Sequence, residues 1–406
     1  MTRRLGILLL ALLAAAACAE FGPSHGNQLV LGAIYPLSGP QAEGGKEELA
    51  GVQSALRVSH ANVRLQVIDA TTPQAAAAAV DSLVRDYHVP AIVGTYGSTL
   101  SAAASTRAEQ LKTVYWETGA VADPITAHRQ FVFRTVATGS ALGRMAATFS
   151  HDVLIPQYGL ASPRAVIVRV NDIYGESVAG GEQELAQSMG VVVVDVIGYN
   201  QNAYDPAVIA AQVAADHPDF LWDVSYLDDG VAIWNAVLNR HVPLKGAIGT
   251  SSAFCMPEFS HRVGTGSIGV YAADKPDATI SPSALSASGR DLLARARAAY
   301  GPDHMDIPAV AGFVGGWTLF HDVIPNVSGS VTADSIRQAA LGVDVPVGDS
   351  INGGGVKFAG PGAPDEGQNI RAAAVVGQWQ AVGVMKVLYP AAYATGQPMT
   401  WSYEGM

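Results

Sequence analysis

The chain has 406 residues, 49% of them apolar and 15% charged, which is long enough for two domains and too apolar for wholesale disorder. Its net charge of −11, with no lysine- or arginine-rich run, excludes a basic, phosphate-binding surface and gives no support for a nucleic-acid partner.

At the N-terminus, Arg3 and Arg4 precede the apolar run Leu5 to Leu13, which passes into Ala14-Ala15-Ala16-Ala17-Cys18. A charged start, an apolar core too short to span a bilayer and a small-residue cleavage zone predict a signal peptide over residues 1–17. The small residues ending at Cys18 resemble a bacterial lipobox, with Ala15 where a leucine is usual. The resemblance implies export to the periplasm or cell surface with a lipid on Cys18; ordinary signal-peptidase cleavage in the same stretch is the alternative. Cys255 is the other cysteine and reads as a small buried hydrophobe. Beyond residue 20 no apolar run of membrane-spanning length stands out.

From residue 29 strands and helices alternate. Leu29–Ile34 reads as a strand and Glu47–Val58 as a helix with Leu49, Val52 and Leu56 on one face. Val63–Ile68 is a strand, and Thr72-Pro73 caps a helix running to Tyr87. Strand Ala91–Val93, helix 99–110 and strand Val114–Trp116 continue the series. A second series starts near Gly143: strand Arg164–Val170, helix Ser177–Met189, strand Val191–Ile197 and a helix capped by Asp205-Pro206. Strand Phe220–Val224, helix Asp229–Arg240 and strand Gly246–Ile248 complete it. The tail breaks the rhythm, with helices at 284–299, 308–322 and 332–341 and short strands at 355–358, 373–376 and 382–387. The expected fold class is α/β, with two doubly wound parallel-sheet lobes joined by several crossovers. The expected division is 29–140 plus 272–345 for lobe 1, 141–271 plus 346–395 for lobe 2, and a tail at 396–406.

Two patterns mislead. "GTGSIG" (264–269) matches a dinucleotide fingerprint, yet His261-Arg262-Val263 precedes it and strand-like "GVYAAD" follows, so the required strand and helix are missing. No G-x-S-x-G elbow occurs, and none of the ten histidines lies three or four residues from another, so helical zinc pairs are absent. No cofactor, metal or catalytic residue is implied.

In an open α/β sheet, ligands sit beyond the carboxyl ends of the strands, where helix N-termini point their N–H groups. Ser98 and Thr99 lie there and suit a ligand carboxylate; Ser98 equally reads as the cap of its own helix. Tyr96, Tyr115, Trp116 and Glu117 cluster at the ends of adjacent strands. Trp116 reads as pocket wall or as core. Glu117 must be solvated, paired, or facing a cationic ligand group. Gly119 can offer its carbonyl and Val121 its amide.

"LVLGAIYPLSGPQAEGGKEELAGVQSAL" (29–56) resembles the opening of type 1 periplasmic binding proteins, of the branched-chain amino-acid-binding group serving ABC transporters. The resemblance continues in order through "VPAIVGTYGSTLSAAAS", "VFRTVATGSALGRMAATF", "VNDIYGESVAGG", "DFLWDVSYLDDG" and "PLKGAIGTSSAF". It implies a Venus-flytrap binding protein, not an enzyme, with a small amino acid or relative between the lobes. It also implies a membrane permease as partner. The ligand carboxylate falls to Ser98 and the Val121 amide, the ligand ammonium to the Gly119 carbonyl, and cleft-facing tyrosines to Tyr174 and Tyr226.

Three positions depart from the family pattern. The acid expected for the ammonium falls near Ser251, Val121 replaces a hydroxyl residue, and Gly44 stands where relatives carry an aromatic ring. Either Glu117 replaces the missing charge, with Asp223 and Asp228 as rivals, or the ligand lacks an α-amino group. Two other readings share these residues: a sensory or regulatory receptor for an amide, urea or aromatic acid, and an extracellular serine hydrolase using Ser98 or Ser251.

Overall fold

The computed structural model describes residues 28–301 and 304–400; the expected signal peptide at 1–17, Cys18 and residues 401–406 lie outside them. The first lobe is built on β1 (Leu29–Tyr35), β2 (Val63–Asp69), β3 (Ala91–Gly94), β4 (Val114–Glu117) and β5 (Val132–Arg134). These strands are parallel and lie in the order β2-β1-β3-β4-β5, with Ala33 opposite Val67 and Val93, and Trp116 opposite Phe133. Their helices are α1 (Ala42–Ser59), α2 (Pro73–Tyr87) and α3 (Ser98–Gln110). Near-continuous apolar strands require cover on both faces. One face packs Leu49 and Val52 of α1, and the other packs Val80 and Leu83 of α2 with Leu100 and Ala104 of α3.

The second lobe starts with α4 (Gly139–Phe149) and α5 (Ile155–Tyr158), followed by β6 (Arg164–Val170), α6 (Ile173–Ser188) and β7 (Val192–Tyr199). Next come α7 (Pro206–Ala215), β8 (Phe220–Val224), α8 (Leu227–Asn239), β9 (Gly246–Thr250), α9 (Pro257–Val263) and β10 (Tyr271–Asp274). The tail supplies α10 (Ala287–Tyr300), α11 (Ile307–Trp317), α12 (Ala333–Leu341), β11 (Asp344–Val345), β12 (Val356–Lys357), β13 (Val375–Ala381) and β14 (Val384–Tyr389). The second sheet runs β14-β13-β10-β9-β8-β6-β7, parallel from β7 to β10. Its far edge differs from the all-parallel expectation: β13 and β14 form an antiparallel hairpin turning at Val382-Gly383 and added to β10.

The tail recrosses the lobes. Leu292, Phe313, Ile336, Ile351 and Phe358 join the core of lobe 1, whereas Val376 joins that of lobe 2. The expected boundaries therefore move. β10 pairs with β9, so the return to lobe 1 follows Asp274 instead of preceding it at 272. Ile351 to Phe358 remain in lobe 1, which places the last crossover between Phe358 and Val375. The helical stretch Ile307–Asn326 is long and apolar enough to cross a membrane by composition, but its α11 portion packs against α1 inside lobe 1.

Arg134 stitches two crossings. It is fully buried and donates to Gln368 Oε1 at 2.6 Å and the Ala122 carbonyl at 2.6 Å. α1 begins five residues before its apolar pattern, and α6 four before, where Asp172 caps it by accepting from the Tyr174 and Gly175 amides. "GTGSIG" forms short 3-10 turns between α9 and β10, as its flanks predict.

Candidate functional site

In sheet 1 the strand order reverses between β1 and β3, so a crevice opens beyond their carboxyl ends. Sheet 2 presents the carboxyl ends of β6, β8, β9 and β10 to the same space. A cavity lies between the lobes. Lobe 1 lines it with Glu48 of α1, the Tyr96–Ser98 turn, Gly119 to Val121, and Ile307, Pro308 and Ala311 of α11. Lobe 2 adds Tyr174, Tyr226, Ser251, Ser252, Cys255, Met256, Asp274 and Lys275.

Tyr96, Ser98, Gly119, Val121, Tyr174, Tyr226 and Ser251 are thus brought together at one cavity. Ser98 is not the cap of α3: Gly97 holds that place, and Ser98 Oγ accepts from the Ala122 amide at 3.1 Å. Ser98 lines the cavity at the start of α3, where the helix dipole favours an anion. The rings of Tyr174 and Tyr226 pack 5.1 Å apart, with their hydroxyls donated to the Thr250 carbonyl and Asp172 Oδ2. Both rings therefore act as walls. Ser251 and Ser252 take left-handed backbone (φ 59° and 45°), a conformation costing about 1–3 kcal/mol each, and this turn carries Ser252 to Tyr96.

Three expected residues stand elsewhere. Trp116 is core: its indole donates to the Gly315 carbonyl at 2.8 Å and its ring stacks on Phe133 at 5.6 Å. Inward direction is set by the pleat, which alternates along β4. Glu117 is fully buried and saturated. Its Oε1 accepts from the Gly119 and Ala120 amides at 2.7 Å, and its Oε2 from the Thr95 amide at 3.3 Å and the Ser101 hydroxyl. It anchors the cavity loop and has no free oxygen for a ligand cation. Thr99 lies one helical step past Ser98, at the polar cleft mouth, where its hydroxyl donates to Asp172 Oδ2 at 3.3 Å. The rival acids are also distant from the cavity: Asp223 is buried in lobe 2 beside Ser225, and Asp228 pairs with Arg262 at 2.7 Å. Cys255 is buried and free, and burial pushes its thiol well above the ordinary range, so it packs as a small hydrophobe.

Three charged residues that line the cavity, Glu48, Asp274 and Lys275, are not among those the sequence singled out. Glu48 is fully buried; its Oε1 accepts from the Thr118 hydroxyl, and its Oε2 has no hydrogen-bond partner. Burial and the charge of Glu117 push its carboxyl up to about 8, against the pull of Thr118 and Lys275. Lys275 is taken by Asp274 at 2.8 Å and reaches Ser251 Oγ at 3.5 Å. A signal for Glu48 exists: it shares the buried face of α1 with Gly44, Gly45, Val52 and Ala55, where a carboxylate has no solvent to face. Gly44 also finds its reason, because a Cβ there would overlap the Tyr96 ring, which fills that space from the neighbouring strand end.

The lobes touch across the cavity. Tyr96 OH and Ser252 Oγ lie 3.1 Å apart, and Thr99 meets Asp172. Among the described residues no histidine lines the cavity, and the amine nearest a lining serine, that of Lys275, is held by Asp274. Among the described residues no group of three or more metal-ligating side chains is placed to hold an ion.

A family model described as periplasmic binding protein matches residues 28–381. The Leu/Ile/Val-binding protein homolog 8 of Brucella abortus (strain 2308) is 28% identical over 371 residues, covering 88% of this chain and 90% of the relative. Among solved structures, the leucine-binding protein LivK of Thermotoga maritima MSB8 superposes with a TM-score of 0.74 at 18% identity, covering 89% of this chain and 97% of that one. An ABC-transporter solute-binding protein of R. palustris in complex with benzoate gives 0.73 at 17% identity, covering 92% and 98%. At these identities the structural likeness speaks for the fold.

Proposed function

Because the chain belongs to the periplasmic binding protein family, we propose that it is the extracytoplasmic solute-binding component of an ABC importer, tethered through Cys18. The observation that carries this reading is the cavity walled by both lobes, whose linking contacts, Tyr96 to Ser252 and Thr99 to Asp172, lie directly around it. A pocket that sets Ser98 and Ser251 among apolar and aromatic walls suits a small amino acid or a related carboxylate or amide. The ligand carboxylate is assigned to the Ser98 hydroxyl and the first amides of α3, and its apolar part to Tyr96, Tyr174, Tyr226, Met256 and Ile307. Closing of the lobes about the crossovers near Arg134 and Gln368 buries the solute and creates the face offered to a permease.

The test is a thermal-shift screen of the exported chain against amino acids, amides, ureas and aromatic carboxylates. A ligand at a hundred times its Kd adds about 2.7 kcal/mol, or roughly 3–4 °C in Tm for a chain of this length. Recovery of the ligand unchanged is expected. Absence of a shift with every class refutes the reading.

A further inference from the structure

We infer that Glu48 is the specificity-determining acid of the cavity and that the solute carries a cationic nitrogen, an ammonium or amidinium, seated on Glu48 Oε2. This rests on the solute-binding reading and narrows it to a ligand class.

The hydrogen-bond directions carry the argument. With Glu48 ionised, Thr118 donates its hydroxyl to Glu48 Oε1, and the Tyr35 hydroxyl, 2.8 Å from Thr118 Oγ1, donates to Thr118. Every donor in this chain runs toward Glu48, an arrangement suited to an ionised carboxylate. Oε2 is left without a protein partner, although the side chain is fully buried and borders the cavity. Oε2 lies against Gly119, whose missing Cβ makes the room that it occupies at the cavity wall. A buried acceptor without a donor is unfavourable, and a ligand N–H supplies the missing donor.

Charge selects a cation over a neutral donor. The groups facing Glu48 are Tyr35 from β1, Glu117 from β4, Tyr96 beyond β3, and Lys275 beyond β10; α11 offers only apolar surface and backbone. Lys275 is committed to Asp274, and Glu117 lies near Arg134 and is saturated by four donors. Among the described residues lining the cavity, Glu48 is the carboxyl that no salt bridge pairs, Asp274 being held by Lys275. Without a cation, burial holds much of Glu48 protonated at neutral pH. A cation must therefore displace that proton, and its affinity rises with pH until the carboxyl is fully ionised. A neutral amide would bind equally well or better below that point.

The experiment titrates wild-type protein and Glu48→Gln at pH 6.0, 7.0 and 8.5 in buffers of two ionisation enthalpies. The probes are the twenty L-α-amino acids, acetamidine and guanidine, each set against its deaminated acid or acetamide. The expected result is a cationic probe that binds wild type about 50-fold more tightly at pH 8.5 than at 6.0, with proton release at pH 7. Glu48→Gln should lose at least tenfold in affinity and all of the pH dependence while keeping its Tm. Equal binding of the cation by Glu48→Gln, or cation binding to wild type without proton release, overturns the assignment; the second criterion stands even if the variant does not fold. Binding only by neutral or anionic probes overturns it too, and leaves the solute-binding reading intact. No binding by any probe, extended to ureas and aromatic acids, overturns both.

Discussion

Replacing Glu117 by Gln separates a fold-holding carboxylate from a ligand-holding one. Four donors converge on this buried side chain, three of them main-chain amides of Thr95, Gly119 and Ala120. Gln is isosteric and keeps one oxygen for the Gly119 and Ala120 pair, but it turns an amide N–H toward Thr95 and Ser101. The Ser101 hydroxyl can rotate to accept; the Thr95 amide cannot. One buried amide is orphaned, at about 1–3 kcal/mol, and two charge-assisted bonds become neutral ones, at about 1 kcal/mol more. Removing a charge whose burial lifts its carboxyl to about 7 returns part of this. The net loss is roughly 2–3 kcal/mol from lobe 1, read by calorimetry without ligand at pH 7.5 as a Tm lower by roughly 5–10 °C. Binding should weaken for every ligand alike, through the loosened Gly119–Val121 loop. An unchanged Tm together with weaker binding of cations alone would refute this reasoning and return Glu117 to the cleft.

Trp116→Phe removes the bond to the Gly315 carbonyl and part of a stacked cluster, so about 2–3 kcal/mol of stability should disappear in chemical denaturation while ligand affinity stays within twofold. Tyr96→Phe deletes the contact to Ser252 across the cleft, 3.1 Å long. The lobes should close less readily by about 0.5–1.5 kcal/mol, seen in calorimetric titration as roughly two- to tenfold weaker binding; unchanged affinity would contradict it. Stability should also depend on pH. Burial and neighbouring acids lift Glu47 and Asp223 to about 8, far above ordinary carboxyls. A raised folded-state value means that their contribution is fully present below the ordinary carboxyl range and lost as pH rises through about 8. Tm should therefore fall between pH 5.5 and 8.5, and Asp223→Asn, whose Oδ2 has no partner to lose, should flatten that fall.

The amino-acid order determined the α/β rhythm, because local signals are strong there. Strands such as Arg164–Val170 and Phe220–Val224 are largely apolar, and Thr72-Pro73 and Asp205-Pro206 mark helix starts with local chemistry. The same locality placed Ser98, Gly119, Tyr174, Tyr226 and Ser251 at strand ends, and strand ends of both sheets converge on one cavity. Tertiary structure decided which acid is free. Glu117 and Glu48 are both carboxylates beside apolar segments, and only the folded positions of Thr95, Ser101, Gly119 and Ala120 show that Glu117 is consumed. Glu48 lies seventy residues from Thr118 and is aligned with it by the packing of α1 beside β4. Hydrogen-bond saturation is a property of three-dimensional neighbours, so the chemistry of the cavity could not be read until those neighbours were in place.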